Sequence, residues 1–211
     1  MKPRLAIFTI ALAILMLAGC NGADPNTQSR EETIVAGLPQ GSLDAAQDCL
    51  LVIWDAQAEP NRDFDRAHDS VEGGAISCAT GTSASEFEAA LAAIRAAAAA
   101  NDRAALVREL GLPLLYIDAE GNRRELTDEL AEEGFDEVFS PEMLEMMQDL
   151  SLEDITVVPD QGAFFKLGSL WLVADRQGGR PRLVTVNRQA FAEAAEAASE
   201  VAAQEAPATP L

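Results

Sequence analysis

The chain has 211 residues, with 15 lysines and arginines against 35 aspartates and glutamates and a net charge of −20 at neutral pH. Such an acid excess excludes nucleic acid as a partner, because binding a polyanion needs a basic surface to displace its counterions; direct docking on anionic membrane is disfavoured for the same reason. The length suits one domain of ordinary size with an appended segment.

Residues 1–19 open with Lys2 and Arg4, run uncharged and apolar from Leu5 to Ala18, and end on the small pair Ala18-Gly19. This is the layout of an export signal. At 1.5 Å per residue the apolar run spans about 21 Å as a helix, short of the roughly 30 Å of hydrocarbon that a membrane-crossing helix must cover. Leu17-Ala18-Gly19-Cys20 resembles the lipobox of bacterial lipoproteins. The resemblance implies cleavage between Gly19 and Cys20, acylation of Cys20, and a membrane anchor through that lipid. Asn21 stands where many bacteria use an aspartate as an inner-membrane retention signal, which implies an outer-membrane lipoprotein facing the periplasm. Loss of residues 1–19 removes Lys2 and Arg4 and no acid, so the mature chain carries −22. A field of this sign steers cationic proteins or peptides toward it.

Residues 20–42, rich in Asn, Asp, Pro, Thr, Gln, Ser and Gly, read as a flexible tether with a root-mean-square reach of about 25 Å. Residues 43–84 form an N-terminal segment closed by a disulfide. Its run Cys49-Leu50-Leu51-Val52-Ile53-Trp54 is too apolar for a linker, and its periodicity does not separate helix from strand. With Cys20 lipidated, Cys49 and Cys78 are the one pair left in an oxidising compartment, and a bond between them stabilises by about 3 kcal/mol. Asp63, Asp65, Asp69 and Glu72 surround the single His68. Counted from Asp63 there is no ligand at the fifth position and no glycine at the sixth, as a calcium loop requires. A solvated acidic loop without metal is expected, with His68 at the surface or capping a helix.

Ser85-Glu86-Phe87-Glu88 reads as a capping box, and Phe87, Leu91, Ile94 and Ala98 then recur at helical spacing. Asn101 caps a second short helix over 102–110, which Gly111 stops. A strand over 112–118 and a turn at 119–122 come next. Thr127 caps a third helix toward Phe139, and Ser140-Pro141 opens a fourth with proline at its first position. Strands are expected near 155–158, over 162–174 with a break at Gly168, and over 182–187, the last turn being 177–181. Residues 188–211 begin as an Ala/Glu-rich helix, with Phe191, Ala194 and Ala198 on one side, and end in a frayed tail.

Asn101-Asp102-Arg103, Leu112-Pro113-Leu114, Phe135 with Phe139-Ser140-Pro141, and Gly162 through Gly168 to Trp171 resemble small exported bacterial domains of the NTF2-like (cystatin-like) kind over residues 85–187. The resemblance implies an α+β fold in which helices pack on a curved antiparallel sheet, a cone with a pocket at its open end, and pairing through the sheet face into a homodimer. Enzymes of this superfold, isomerases and dehydratases, place an Asp, Tyr or His inside the cone. Tyr116 and Asp118 stand two apart on one strand and so share a face. A hydroxyl beside a desolvated carboxyl suits proton abstraction next to a carbonyl; the plainer reading is a core tyrosine and a turn aspartate. Phe164, Phe165 and Trp171 are candidates to line a small-molecule pocket or to fill the core. Elsewhere no nucleophile and base pair, phosphate loop or metal cluster stands out, so neither a catalytic centre nor a cofactor is expected. The expectation is a non-enzymatic, lipid-anchored periplasmic accessory or binding protein. One rival is an isomerase or dehydratase using Tyr116 and Asp118, and another is an acidic interaction module for a cationic partner.

Replacing Cys20 by serine is expected to move the protein out of the membrane fraction and abolish palmitate labelling; unchanged fractionation would remove the lipid anchor.

Overall fold

The structure, a computed structural model, describes residues 45–127 and 134–205. The export signal, Gly19 and Cys20, the tether, the start of the helix expected after Thr127, and the last residues of the tail lie outside them. In chain order the described elements are α1 (Ala45–Ala56), α2 (Arg62–His68), β1 (Ser70–Val71), β2 (Gly74–Ala75), α3 (Ile76–Thr80), α4 (Ala84–Ala99) and α5 (Arg103–Arg108). There follow β3 (Leu110–Ile117), β4 (Arg123–Leu126), α6 (Phe135–Val138), α7 (Pro141–Gln148), β5 (Thr156–Val158), β6 (Gly162–Phe165), β7 (Leu170–Val173), β8 (Arg182–Asn187) and α8 (Arg188–Glu205).

The α+β class stands, with a six-stranded sheet in the order β4-β3-β8-β7-β6-β5. The sheet is mixed, which corrects the expectation of a purely antiparallel one. The run from β5 to β8 is an antiparallel meander, and it meets β3 through a parallel β3/β8 pair. A parallel neighbour needs a long connection, and the chain from β4 through α6 and α7 to β5 supplies it.

The core lies between this sheet and α4. Phe87, Ala90, Leu91, Ile94, Ala97 and Ala98 of α4 are all buried, joined by Leu114, Tyr116, Phe165, Leu172 and Val186 from the strands and by Phe135, Met143 and Met147 from α6 and α7. Each fully buried Leu, Ile or Phe side chain contributes about 1.5–3 kcal/mol. That sum outweighs the roughly 1 kcal/mol of a helix cap, so burial decides where α4 lies and the cap decides where it begins. The cap is Ser83, two residues before the expected box: its extended backbone ends at Ala84 and its hydroxyl accepts from the Glu86 amide at 3.4 Å. Ser83 and Glu86 have the spacing of a capping box, and Ser85 sits inside the first turn.

Two further local readings change for tertiary reasons. Asn101 takes a left-handed φ of 50° after α4, and Asp102 caps α5 by accepting from the Ala105 amide at 2.9 Å. Gly111 lies within β3 and is a close-approach residue: a Cβ there would meet Val184 Cγ1 at 2.7 Å. Ser140 and Pro141 open α7 as expected, the serine accepting from the Met143 amide.

The apolar run around Cys49 is helical, because Leu50, Ile53 and Trp54 are buried at helical spacing while Leu51 and Val52 stay exposed. Cys49 and Cys78 are bonded, joining α1 to α3. The stretch expected as a solvated acidic loop is instead the short helix α2 and the β1/β2 hairpin, and two of its acids are buried. Burial of a carboxylate is costly unless donors surround it, and here they do. Asp65 accepts from Trp54 Nε1 at 2.7 Å and from the Ser85 amide at 2.8 Å. Asp69 accepts from the Ser77 amide at 2.7 Å and the Ser77 hydroxyl at 2.6 Å. Burial raises the Asp69 pKa above 3.8, against the lowering effect of both Ser77 hydrogen bonds. His68 is exposed, its Nδ1 2.9 Å from the Phe64 carbonyl. The hairpin covers the β5 edge, with the Val157 amide donating to the Glu72 carbonyl at 2.8 Å. Gly73 makes that approach possible, since at φ 90° a Cβ would lie 2.1 Å from the Val157 carbonyl oxygen.

Asp65→Ala leaves the Trp54 and Ser85 donors buried and unpaired, and is expected to cost about 2–4 kcal/mol. Asp63→Ala removes only an exposed pair with Arg66 and should change stability by less than about 0.5 kcal/mol. Urea unfolding followed by tryptophan fluorescence compares the two; equal effects would remove the structural role of Asp65.

Candidate functional site

Four arginines of this acidic chain, Arg103, Arg108, Arg124 and Arg188, stand around α6. On one side α5 presents Arg103, Ala104, Val107 and Arg108, and across from them stands Phe135; between them lies an open cavity of about 460 Å³. The turn of α5 that Asp102 caps sets this spacing: Ala104, Val107 and Arg108 are three and four apart and lie on one helical face. The Arg103 guanidinium sits 4.9 Å from the centre of the Phe135 ring and pairs with the Asp136 carboxylate. Arg182 donates to the Arg108 carbonyl, which adds a third guanidinium to this end of the molecule. Among the described residues no carboxylate pairs with the Arg108 guanidinium.

On the other side of α6 the Glu137 carbonyl accepts from Tyr116 Oη at 3.3 Å and from Arg188 Nη1 at 2.9 Å. The Glu137 carboxylate pairs with Arg124, whose guanidinium stands 5.2 Å from the centre of the Tyr116 ring. A short helix leaves its last carbonyls without intrahelical partners, and Tyr116 and Arg188 fill that need. Burial pushes the Tyr116 pKa above 10.0, only partly offset by the positive charge of Arg188, so the phenol stays protonated at neutral pH.

Asp118 belongs to a different structure. Its Oδ1 accepts from the Glu120 amide at 3.0 Å and the Asn122 amide at 2.8 Å, and its Oδ2 from Asn122 Nδ2 at 2.9 Å. These bonds close the β3/β4 turn, an Asx-type arrangement, and hold its pKa below 3.8, the Asn122 side chain acting most strongly. The polar atoms of Tyr116 and Asp118 are therefore committed to separate partners. Of the three aromatics, Phe165 is wholly buried in the core, while Phe164 and Trp171 are cross-strand neighbours on the opposite face, their rings 5.0 Å apart. The structure brings the last two together and sets the first apart.

The Arg103, Arg108 and Phe135 cavity was not legible as a site. Arg103 and Phe135 are visible as landmarks, yet 32 positions separate them, and no local periodicity joins them. Arg103 and Arg108 stand five positions apart, farther than the pairs Arg62/Arg66, Arg123/Arg124 and Arg180/Arg182, so spacing along the chain gives no signal for the cavity.

Comparison of the chain with protein-family models, with curated proteins and with solved structures gives no match.

The depressed Asp118 pKa means that the carboxylate stabilises the turn above the ordinary value of 3.8 and that this contribution is lost as pH falls through the lower folded value. Carboxyl carbon NMR should show Asp118 titrating below 3.8, and Asn122→Ala should move it upward. A midpoint above the ordinary value would mean that the turn does not hold the carboxylate.

Proposed function

We propose that the protein is a lipid-anchored binding protein of the bacterial envelope, an NTF2-like cone whose cavity between α5 and α6 takes a small anionic ligand with an apolar body. The observation that carries this reading is an apolar cavity rimmed by Arg103 and Arg108 on a chain of net charge −20. A chain this acidic repels anions at long range. Arg108, together with the donors of Arg103 that its pair with Asp136 leaves over, offers a carboxylate or sulfonate charge-assisted hydrogen bonds, while Ala104, Val107 and Phe135 accept an alkyl or aryl body.

The lipobox-like stretch at 17–20 supports the anchor, and the order of two helices, a hairpin, two short helices and an antiparallel meander supports the NTF2-like reading. Among the described residues that line the cavity there is no nucleophile and no general base, and the committed partners of Tyr116 and Asp118 favour binding over proton abstraction.

Decanoate and decyltrimethylammonium carry the same chain with opposite charge and serve as probes below their micellar concentrations. Decanoate is expected to bind, seen by calorimetry and by NMR shifts in α5 and α6, and the cation is not. Arg103→Gln and Arg108→Gln should each weaken decanoate about tenfold, the effect of losing one charge-assisted hydrogen bond, without lowering Tm. Equal binding of both probes, or indifference to both substitutions, would remove the anion site.

A further inference from the structure

Well away from the arginine-rimmed cavity, the Cys49 and Cys78 bond joins two elements of unequal exposure. Cys49 on α1 is half-buried, whereas Cys78 on α3 is exposed. Cys78 also lines a cavity of about 200 Å³ together with Thr80, Asp160, Gln161 and Val173. An attacking thiolate needs access to one sulfur of the pair, and access is one of the factors that select which sulfur is attacked. Here it selects Cys78.

The element held by this bond stands apart from the main core. The buried side chains of α1, namely Leu50, Ile53 and Trp54, do not join the cluster centred on α4. Polar bonds also fasten α1: Trp54 donates to Asp65, and Gln57 Nε2 donates to the Ser83 hydroxyl at 2.9 Å and to the Gly178 carbonyl at 3.5 Å. The disulfide therefore clasps α1 to α3, whose Ile76 and Ala79 belong to that cluster.

We propose that Cys78 Sγ is a thiol-exchange site and that its bond to Cys49 is a releasable clasp on α1. The co-reactant is a dithiol, either a small molecule or a pair of cysteines on a partner protein. Its thiolate forms a bond to Cys78 Sγ as the bond between the two protein sulfurs breaks, and the electron pair leaves on Cys49 as a thiolate that takes a proton from water. The second thiol of the partner then attacks the partner sulfur of the mixed disulfide. Cys78 departs as thiolate, the partner is oxidised to its disulfide and the protein pair is reduced. Asp160 at the cavity and the charge of −20 over the whole chain oppose anionic thiols, so the exchange favours a neutral or cationic carrier.

The experiment treats the full native chain, its free thiols already blocked, with cysteamine or with 3-mercaptopropionate at equal thiolate concentration. Acid quenching, alkylation and peptide mass mapping then locate the adduct. The mixed disulfide is expected on Cys78 with Cys49 alkylated, and cysteamine should react several-fold faster at low salt, the ratio falling toward one as salt screens the field. Asp160→Asn, at a position whose φ of 61° asparagine accepts, should lower that ratio while leaving the disulfide formed. After full reduction by a dithiol, amides of α1 should exchange on the order of 100-fold faster while those of α4 do not change. An adduct on Cys49, reaction only in denaturant, or loss of protection in α1 and α4 together would overturn the proposal.

Discussion

The Asp65 carboxylate, fully buried, is the point at which the N-terminal helices and the α/β core become one body. One oxygen takes the Trp54 indole hydrogen from α1 and the other takes a first-turn amide of α4. An amide at a helix N-terminus has no intrahelical acceptor, and negative charge there is favoured by the aligned peptide dipoles. The same acid thus satisfies the start of the central helix and positions the tryptophan that α1 buries. Arg62 and Arg66 stand 5.3 and 4.9 Å from the centre of the Trp54 ring, so the cations of α2 cover the indole whose hydrogen the acid of α2 accepts. Remove that carboxylate and α1, α2 and the first turn of α4 lose their common partner.

A second constraint is the shortage of positive charge. With 15 basic residues against 35 acidic ones, the position of each guanidinium shapes the local field. Four of them converge on the four-residue helix α6: Arg103 at Phe135 and Asp136, and Arg124 and Arg188 at Glu137, with Arg108 across the cavity. Arg124 and Arg188 are engaged with Glu137 beside Tyr116 and so serve the fold. Arg103, paired with Asp136, and Arg108 border open volume beside apolar side chains. This division, on the two sides of one short helix, separates the cluster around the lone tyrosine from the cavity lined by Arg103, Arg108 and Phe135.

Much of the fold was legible before its coordinates. The apolar spacing of Phe87, Leu91, Ile94 and Ala98 marks the central helix, Ser140-Pro141 marks the start of α7, and the breaks at Gly168 and 177–181 separate the last strands. These signals are local, and each needs only a turn or two of chain to be read. Errors came wherever a distant residue chose between local options. Ser83 and Ser85 can each cap α4, and the Asp65 contact to the Ser85 amide accompanies the choice of Ser83. Asp65 and Asp69 look like solvated acids in a polar stretch, and only their donors from α1, α3 and α4 make burial tolerable. Gly111 looks like a helix stop, and the approach of Val184 on β8 shows why a side chain is excluded there. The candidate cavity failed for the same reason, since Phe135 faces α5 across a connection that no periodicity describes.

By itself the sequence determined the central helix α4, the start of α7, the last strands and the pairing of Cys49 with Cys78. Those follow from residue type, from spacing along the chain and from the small number of possible pairings. Only the tertiary structure decided the parallel joining of β3 to β8, the burial of Asp65 and Asp69, the commitment of Asp118 to its turn, and the meeting of Arg103 and Arg108 with Phe135. Each of these depends on which groups lose water together, and solvation is a property of the assembled surface that no single stretch of chain carries.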